Sequence, residues 1–143
     1  MTFLHPKSVL FVCNQNSVRS PMAEAITQKL ARRRMFVESV GLIAGAADPF
    51  TVSVMAEDDI DIADHAPKTL SEVDPADFDL VVALTPESHM KLARTLGADN
   101  PKLEYWATPD PGDAEGHRDR VIDSYRLVRD HLEVRIADRF HFT

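Results

Sequence analysis

The sequence predicts an α/β fold, a three-layer α/β/α sandwich around a central four-stranded parallel sheet. Three observations carry this. The apolar runs Val9 to Val12 and Phe78 to Leu84 are short and β-prone, as strands buried on both faces must be. The pairs Ser20-Pro21 and Asp48-Pro49 read as helix starts, each with a capping side chain followed by a proline that needs no N–H in the first turn. Strand-like and helix-like stretches alternate along the chain, which calls for a parallel sheet with helices on both sides.

The first strand is Val9-Leu10-Phe11-Val12. Polarity switches after Cys13, and Asn14 to Arg19 form a polar turn ahead of Ser20, the expected N-cap. Met22, Ile26 and Leu30 recur at helical spacing, and Arg32-Arg33-Arg34 suits the negative end of that helix's dipole. A second strand is expected at Phe36 to Val40 and a helix from Asp48-Pro49 to near Glu57. The strand Phe78 to Leu84 ends at Thr85-Pro86, and the helix after it carries Met90, Leu92, Ala93 and Leu96 to Gly97. A fourth strand fits Lys102 to Trp106. Thr108 to Gly116, dense in Pro, Gly and Asp, reads as an irregular surface loop. Val121, Tyr125, Val128, Leu132 and Ile136 mark one face of a long C-terminal helix. With no repeat or linker, residues 1–143 read as one domain.

Charge narrows the function. A net charge of -7 with both signs interspersed gives no basic footprint for nucleic acid and no polybasic patch for a membrane. No apolar run reaches the length of a membrane span and the N-terminal stretch lacks the pattern of a signal peptide, so a cytoplasmic location is expected. The six histidines show no metal-ligand spacing, with His117, His131 and His141 expected at the surface, and neither a metal nor another cofactor is expected.

The single cysteine cannot form an internal disulfide, so Cys13 is either a small buried hydrophobe or a working thiol. Its position argues for the second. Ligands of an open parallel sheet sit beyond the carboxyl ends of strands, and Cys13 lies between the first strand and the first helix. The turn Asn14, Gln15, Asn16, Ser17, Val18 would aim backbone N–H groups into one concavity, backed by the positive end of the helix. That field binds an oxyanion and lowers the pKa of a thiol. Arg19 adds a planar fork able to grip two oxygens of a tetrahedral anion.

The stretch VLFVCNQNSVRSPMAEA resembles the signature of the low-molecular-weight protein tyrosine phosphatase superfamily, whose pattern C-x-x-N-x-x-R-S is met at Cys13, Asn16, Arg19 and Ser20. Pro109-Asp110-Pro111 resembles its general-acid motif and Phe78-Asp79-Leu80-Val81-Val82 its third strand. Ser39-Val40-Gly41 and Asp48-Pro49 fall in the expected order. The resemblance implies a phosphotyrosine protein phosphatase I-like fold with Cys13 as nucleophile, Arg19 as oxyanion clamp and Asp110 as general acid. It implies phosphate binding by Asn14, Gln15, Asn16, Ser17, Val18, Arg19 and Ser20. Asn16 would brace the turn in a left-handed conformation, and the Ser20 hydroxyl would bond the sulfur. By its own context Asp110 reads equally as an ordinary turn residue.

Tyrosine-directed members carry aromatic residues after the Asp-Pro, where this chain has Gly112 and Asp113; Phe50 and Trp106 are candidates to replace them. Ser17 and Val18 stand where many members have a second cysteine. The implied substrate is a phosphorylated protein or a small phosphoester. Arsenate reduction with an external small thiol is the alternative, because Trp106, Asp110-Pro111, Gly116 and Tyr125 to Asp130 resemble the end of arsenate reductases of this fold, yet the further cysteines of thioredoxin-coupled members are absent. A non-catalytic oxyanion-binding module is the third reading.

Overall fold

The computed structural model describes residues 5–32, 34–111 and 117–141. Four strands, β1 (Ser8–Cys13), β2 (Phe36–Gly41), β3 (Leu80–Ala83) and β4 (Leu103–Tyr105), form one parallel sheet in the order β2-β1-β3-β4. Helices α1 (Arg19–Ala31), α2 (Pro49–Ala56), α3 (Pro86–Leu96) and α4 (Arg118–Phe140) flank it. The chain leaves β1 toward β2 and returns to β3 on the other side, so the carboxyl end of β1 lies at the point where the strand order reverses.

Side chains alternate across β1 because successive Cβ atoms point to opposite faces. Val9, Phe11 and Cys13 join the larger apolar core with Met22 and Ile26 of α1, Val54 and Met55 of α2, and Leu132 and Ile136 of α4. Leu10 and Val12 join the smaller one with Val40, Val81 and Leu92 of α3. The odd register of Cys13 therefore aims its sulfur toward the α1 and α4 side. Asp48 caps α2 through Oδ1, accepting from the Phe50 and Thr51 amides at 2.9 and 3.4 Å, with Pro49 opening the helix as expected. Among the described residues no helix is long and apolar enough to cross a membrane.

Three expectations need correction. Helix α1 begins at Arg19, with Val18 at the N-cap and no capping side chain, so Ser20 and Pro21 lie inside the first turn. The Ser20 hydroxyl is drawn instead to buried partners, Cys13 and Asn16. Strand β3 starts at Leu80 rather than Phe78, because the Phe78 amide closes a 3₁₀ turn over Pro75–Asp77 by bonding the Pro75 carbonyl. Helix α3 carries Met90, Leu92, Ala93 and Leu96 as expected, with Ser88 and Leu92 buried and Met90 57% exposed. Trp106 lies in the core against Phe11 and Phe140, too deep to serve as a pocket wall. Gly112 to Gly116, the end of the expected loop, lie outside the described residues.

Candidate active site

The loop between β1 and α1 is held from outside. The carbonyls of Cys13, Asn14 and Gln15 accept bonds from the amides of Leu42, Ile43 and Gly45 at 3.0, 3.0 and 2.9 Å. The Asn16 carbonyl bonds His65 Nε2 at 3.0 Å, and because a carbonyl only accepts, that ring nitrogen carries the proton. In a planar trans peptide the C=O of one residue and the N–H of the next point opposite ways. The N–H groups of Asn14, Gln15, Asn16 and Ser17 are therefore turned away from this wall, and with the α1 N-terminus behind them they can hold a tetrahedral anion.

Two backbone features permit this shape. Asn16 has a φ of 54°, a left-handed value that asparagine tolerates better than most residues. Gly41, at the end of β2, approaches so closely that a Cβ there would stand 2.4 Å from the Ile43 carbonyl oxygen and 2.6 Å from the Asn16 nitrogen. No side chain fits.

A buried polar chain runs behind the sulfur. Cys13 Sγ lies 2.9 Å from Ser20 Oγ, which accepts from Asn16 Nδ2 at 2.9 Å. The same amide nitrogen donates to Ser39 Oγ at 2.9 Å, and Ser39 donates to Glu24 Oε1 at 2.6 Å. Asn16 Oδ1 accepts from the Lys68 amide at 3.0 Å. Burial pushes the Glu24 carboxyl above the usual range, against the opposing pull of the Ser39 hydroxyl.

In front of the loop is a cavity of about 580 Å³ lined by Cys13, Asn14, Gln15, Ser17, Val18 and Arg19 on one side. Asp48, Phe50, Asp110 and Tyr125 are among its other walls. Arg19 is nearly buried; its Nη1 donates to the Thr108 carbonyl at 3.2 Å and its Nη2 is 3.9 Å from Asp110 Oδ2. Folding thus brings Cys13, Arg19 and Asp110 to one cavity, across 97 positions of sequence between first and last. Of the other residues expected in the loop, Asn16 and Ser20 do not line the cavity; both are buried and act from behind. Ser17 Oγ donates to the Ala46 carbonyl at 2.6 Å, tying the loop to the segment after β2.

Sequence reasoning missed Glu24, His65 and the Asp48–Tyr125 pair, and it gave Ser39 no role. His65 and Glu24 act through contacts to residues far away in the chain, so no local spacing marks them. The spacing of Tyr125 puts its ring on the core face of α4, where it lies, and says nothing about its hydroxyl. The one group of three carboxylates close enough to share a metal among the described residues, Asp58, Asp130 and Glu133, is not part of this cavity, and Arg129 supplies its positive charge.

Residues 8–139 match the family model described as low molecular weight phosphotyrosine protein phosphatase. The chain is 33% identical over 133 residues to an arsenate reductase of Bacillus licheniformis, covering 91% of this chain and 92% of that one. It is 34% identical over 134 residues to a protein-arginine-phosphatase of Bacillus subtilis, covering 87% and 89%. The solution structure of a low molecular weight protein tyrosine phosphatase from Bacillus subtilis superposes with a TM-score of 0.71 at 29% identity, covering 90% and 91%.

Proposed function

We propose, from the premise that this chain belongs to the low molecular weight phosphotyrosine protein phosphatase family, that it is a cysteine-dependent phosphatase of phosphomonoesters, with protein phosphotyrosine as its substrate class. The observation that carries this reading is the meeting of a sulfur, a guanidinium and a carboxyl group, those of Cys13, Arg19 and Asp110, on one cavity beside a loop of aligned amides.

In the first step the Cys13 thiolate attacks phosphorus in line, the sulfur–phosphorus bond forms and the bond to the leaving oxygen breaks. Asp110, protonated, gives its proton to that oxygen. The loop amides and Arg19 hold the three equatorial oxygens, and since such transfers need mainly positioning and charge stabilisation, this is where most of the acceleration arises. The Ser20 hydroxyl, 2.9 Å from sulfur, stabilises the thiolate when it leaves in the second step. There Asp110, now a carboxylate, takes a proton from water, the water oxygen attacks phosphorus, and phosphate departs from the freed sulfur.

The second reading is arsenate reduction with an external small thiol, favoured by the arsenate reductase relatives. Cys13 would bond arsenic as an arsenate oxygen leaves as water. The external thiol would then bond the Cys13 sulfur, the sulfur–arsenic bond breaking with its electron pair left on arsenic, which departs as arsenite, and a second thiol would free Cys13 by forming the disulfide of the two small thiols. The location expected is the cytoplasm, where such thiols are abundant.

The test is hydrolysis of p-nitrophenyl phosphate. Turnover is expected, abolished by Cys13→Ser while inorganic phosphate still binds. Thiol-dependent arsenate consumption without hydrolysis would favour the reductase, and neither activity would favour an oxyanion-binding module. A panel of phosphotyrosine peptides, phosphoarginine and small alkyl phosphates then ranks the substrates.

A further inference from the structure

The wall facing the anion loop is built where the start of α2 meets α4; the far end of α2 is held separately, by Arg129 on the Val54 carbonyl and on Glu57. Asp48 uses one carboxylate oxygen to cap α2, holding the Phe50 and Thr51 amides. Its other oxygen, Oδ2, accepts a 2.7 Å bond from the Tyr125 hydroxyl of α4. The Tyr125 ring also packs on Phe50, with centroids 5.4 Å apart and planes tilted by 39°. Phe50 itself is half-buried and lines the cavity, with the Arg118 guanidinium over its ring, 5.9 Å from the centre. Tyr125 is 5% exposed and touches the same cavity as Asp110.

These contacts divide labour in an unusual way. The anion loop is fixed by bonds to the 42–45 segment and His65, none of which involves Tyr125. Phe50 is the aromatic ring that the cavity offers beside Tyr125, and its place depends on where the first turn of α2 sits. That turn is anchored by Asp48, and Asp48 is anchored to α4 by the phenol. Burial and the neighbouring Asp48 and Asp110 carboxylates keep the phenol protonated far into the alkaline range, so the donor is always present.

We propose that Tyr125 is a positioning residue for substrate selectivity: its hydroxyl, through Asp48, holds Phe50 where it packs against a planar aryl group attached to the bound oxyanion. This deepens the phosphatase reading by assigning aryl over alkyl preference to one hydrogen bond between α2 and α4. The contribution is confined to the group beyond phosphorus, because the oxyanion loop is braced independently.

The test uses binding, so that it stands apart from turnover. Benzylphosphonate, methylphosphonate and inorganic phosphate are titrated calorimetrically into the full chain and into Tyr125→Phe, which keeps the ring and removes the donor. Benzylphosphonate affinity is expected to fall about five- to tenfold, the net scale of one ordinary hydrogen bond felt indirectly through Phe50, with methylphosphonate and phosphate within about twofold. Asp48→Asn, which keeps one oxygen for the helix cap and turns its Nδ2 toward the phenol oxygen, to which it can donate, is expected to retain most of the benzyl preference, and Asp48→Ala to lose it. Equal weakening of all three anions in Tyr125→Phe overturns the proposal by showing general loosening, and so does an unchanged benzyl preference. Failure of the phosphatase reading has a different signature, no hydrolysis of any phosphoester by the unsubstituted chain whatever its aryl preference.

Discussion

The bond between Asn16 and Ser20 decides what the serine hydroxyl can do for the sulfur. Asn16 Nδ2 donates into Ser20 Oγ at 2.9 Å, so the single Ser20 proton stays available for an acceptor. Two are near, Cys13 Sγ at 2.9 Å and the Val40 carbonyl at 3.3 Å, and the closer one is the sulfur. An amide in the right orientation thus supplies a hydroxyl donor to the proposed nucleophile.

Asn16→Asp tests this orientation. Aspartate also tolerates a left-handed φ but has no N–H to give, so Ser20 would turn its proton toward the new carboxylate. The expected outcome is a fall in kcat/KM for p-nitrophenyl phosphate of about ten- to a hundredfold, the scale of a lost charge-assisted bond. An unchanged rate in steady-state assays would remove Ser20 from the mechanism.

Asp110→Asn should slow substrates according to their leaving group. With p-nitrophenyl phosphate, whose leaving oxygen hardly needs a proton, the loss is expected to stay below about tenfold. With phenyl phosphate it should reach about a hundredfold or more, the usual range for general-acid catalysis. Comparing kcat/KM across a series of substituted phenyl phosphates checks it, and a uniform loss would assign Asp110 some other role.

Gly41→Ala places a methyl group 2.4 to 2.7 Å from three backbone atoms, none of which is a flexible side-chain end. Both stability and the loop should suffer. A loss of about 2–3 kcal/mol is expected from urea unfolding, in the upper range of overpacking effects, with a parallel fall in oxyanion affinity. Retained phosphate affinity would mean that the loop adapts more freely than its bracing implies.

Glu133 provides a pH prediction away from the cavity. Desolvation, a hydrogen bond with Asp58, and the charges of Asp58 and Asp130 push its carboxyl from 4.5 up to about 7, with Arg129 pulling the other way. Its folded-state affinity for a proton exceeds that of the unfolded chain, so the native state holds more protons between those values. Its contribution is full below pH 4.5 and is lost as pH rises through about 7. Because the site is partly exposed, solvent screening limits the effect to about 1 kcal/mol. Glu133→Gln should flatten that part of the stability curve, as followed by urea midpoints from pH 5 to 8.

Much of the fold was legible because it is written in local patterns. The 3.6-residue spacing of Tyr125, Val128, Leu132 and Ile136 located the buried face of α4, and Asp48-Pro49 located the start of α2. Reading failed where a distant contact outweighed a local preference. Ser20 has every local feature of a cap, yet the sulfur and amide behind it claimed the hydroxyl. Trp106 looked available for a pocket rim, but packing with Phe11 and Phe140 buried it.

The sequence by itself determined the order of strands and helices, the position of Cys13 at the end of a buried strand, and the family to which the cysteine motif and Asp-Pro point. These follow from residues within a few positions of one another, where polarity, spacing and backbone preference act directly. Only the tertiary structure decided which groups stand behind the sulfur and which face it. Glu24, Ser39, His65, Asp48 and Tyr125 acquire their roles from hydrogen bonds that span 15 to 77 positions. Such bonds depend on how packed layers bring side chains together, which no local spacing encodes.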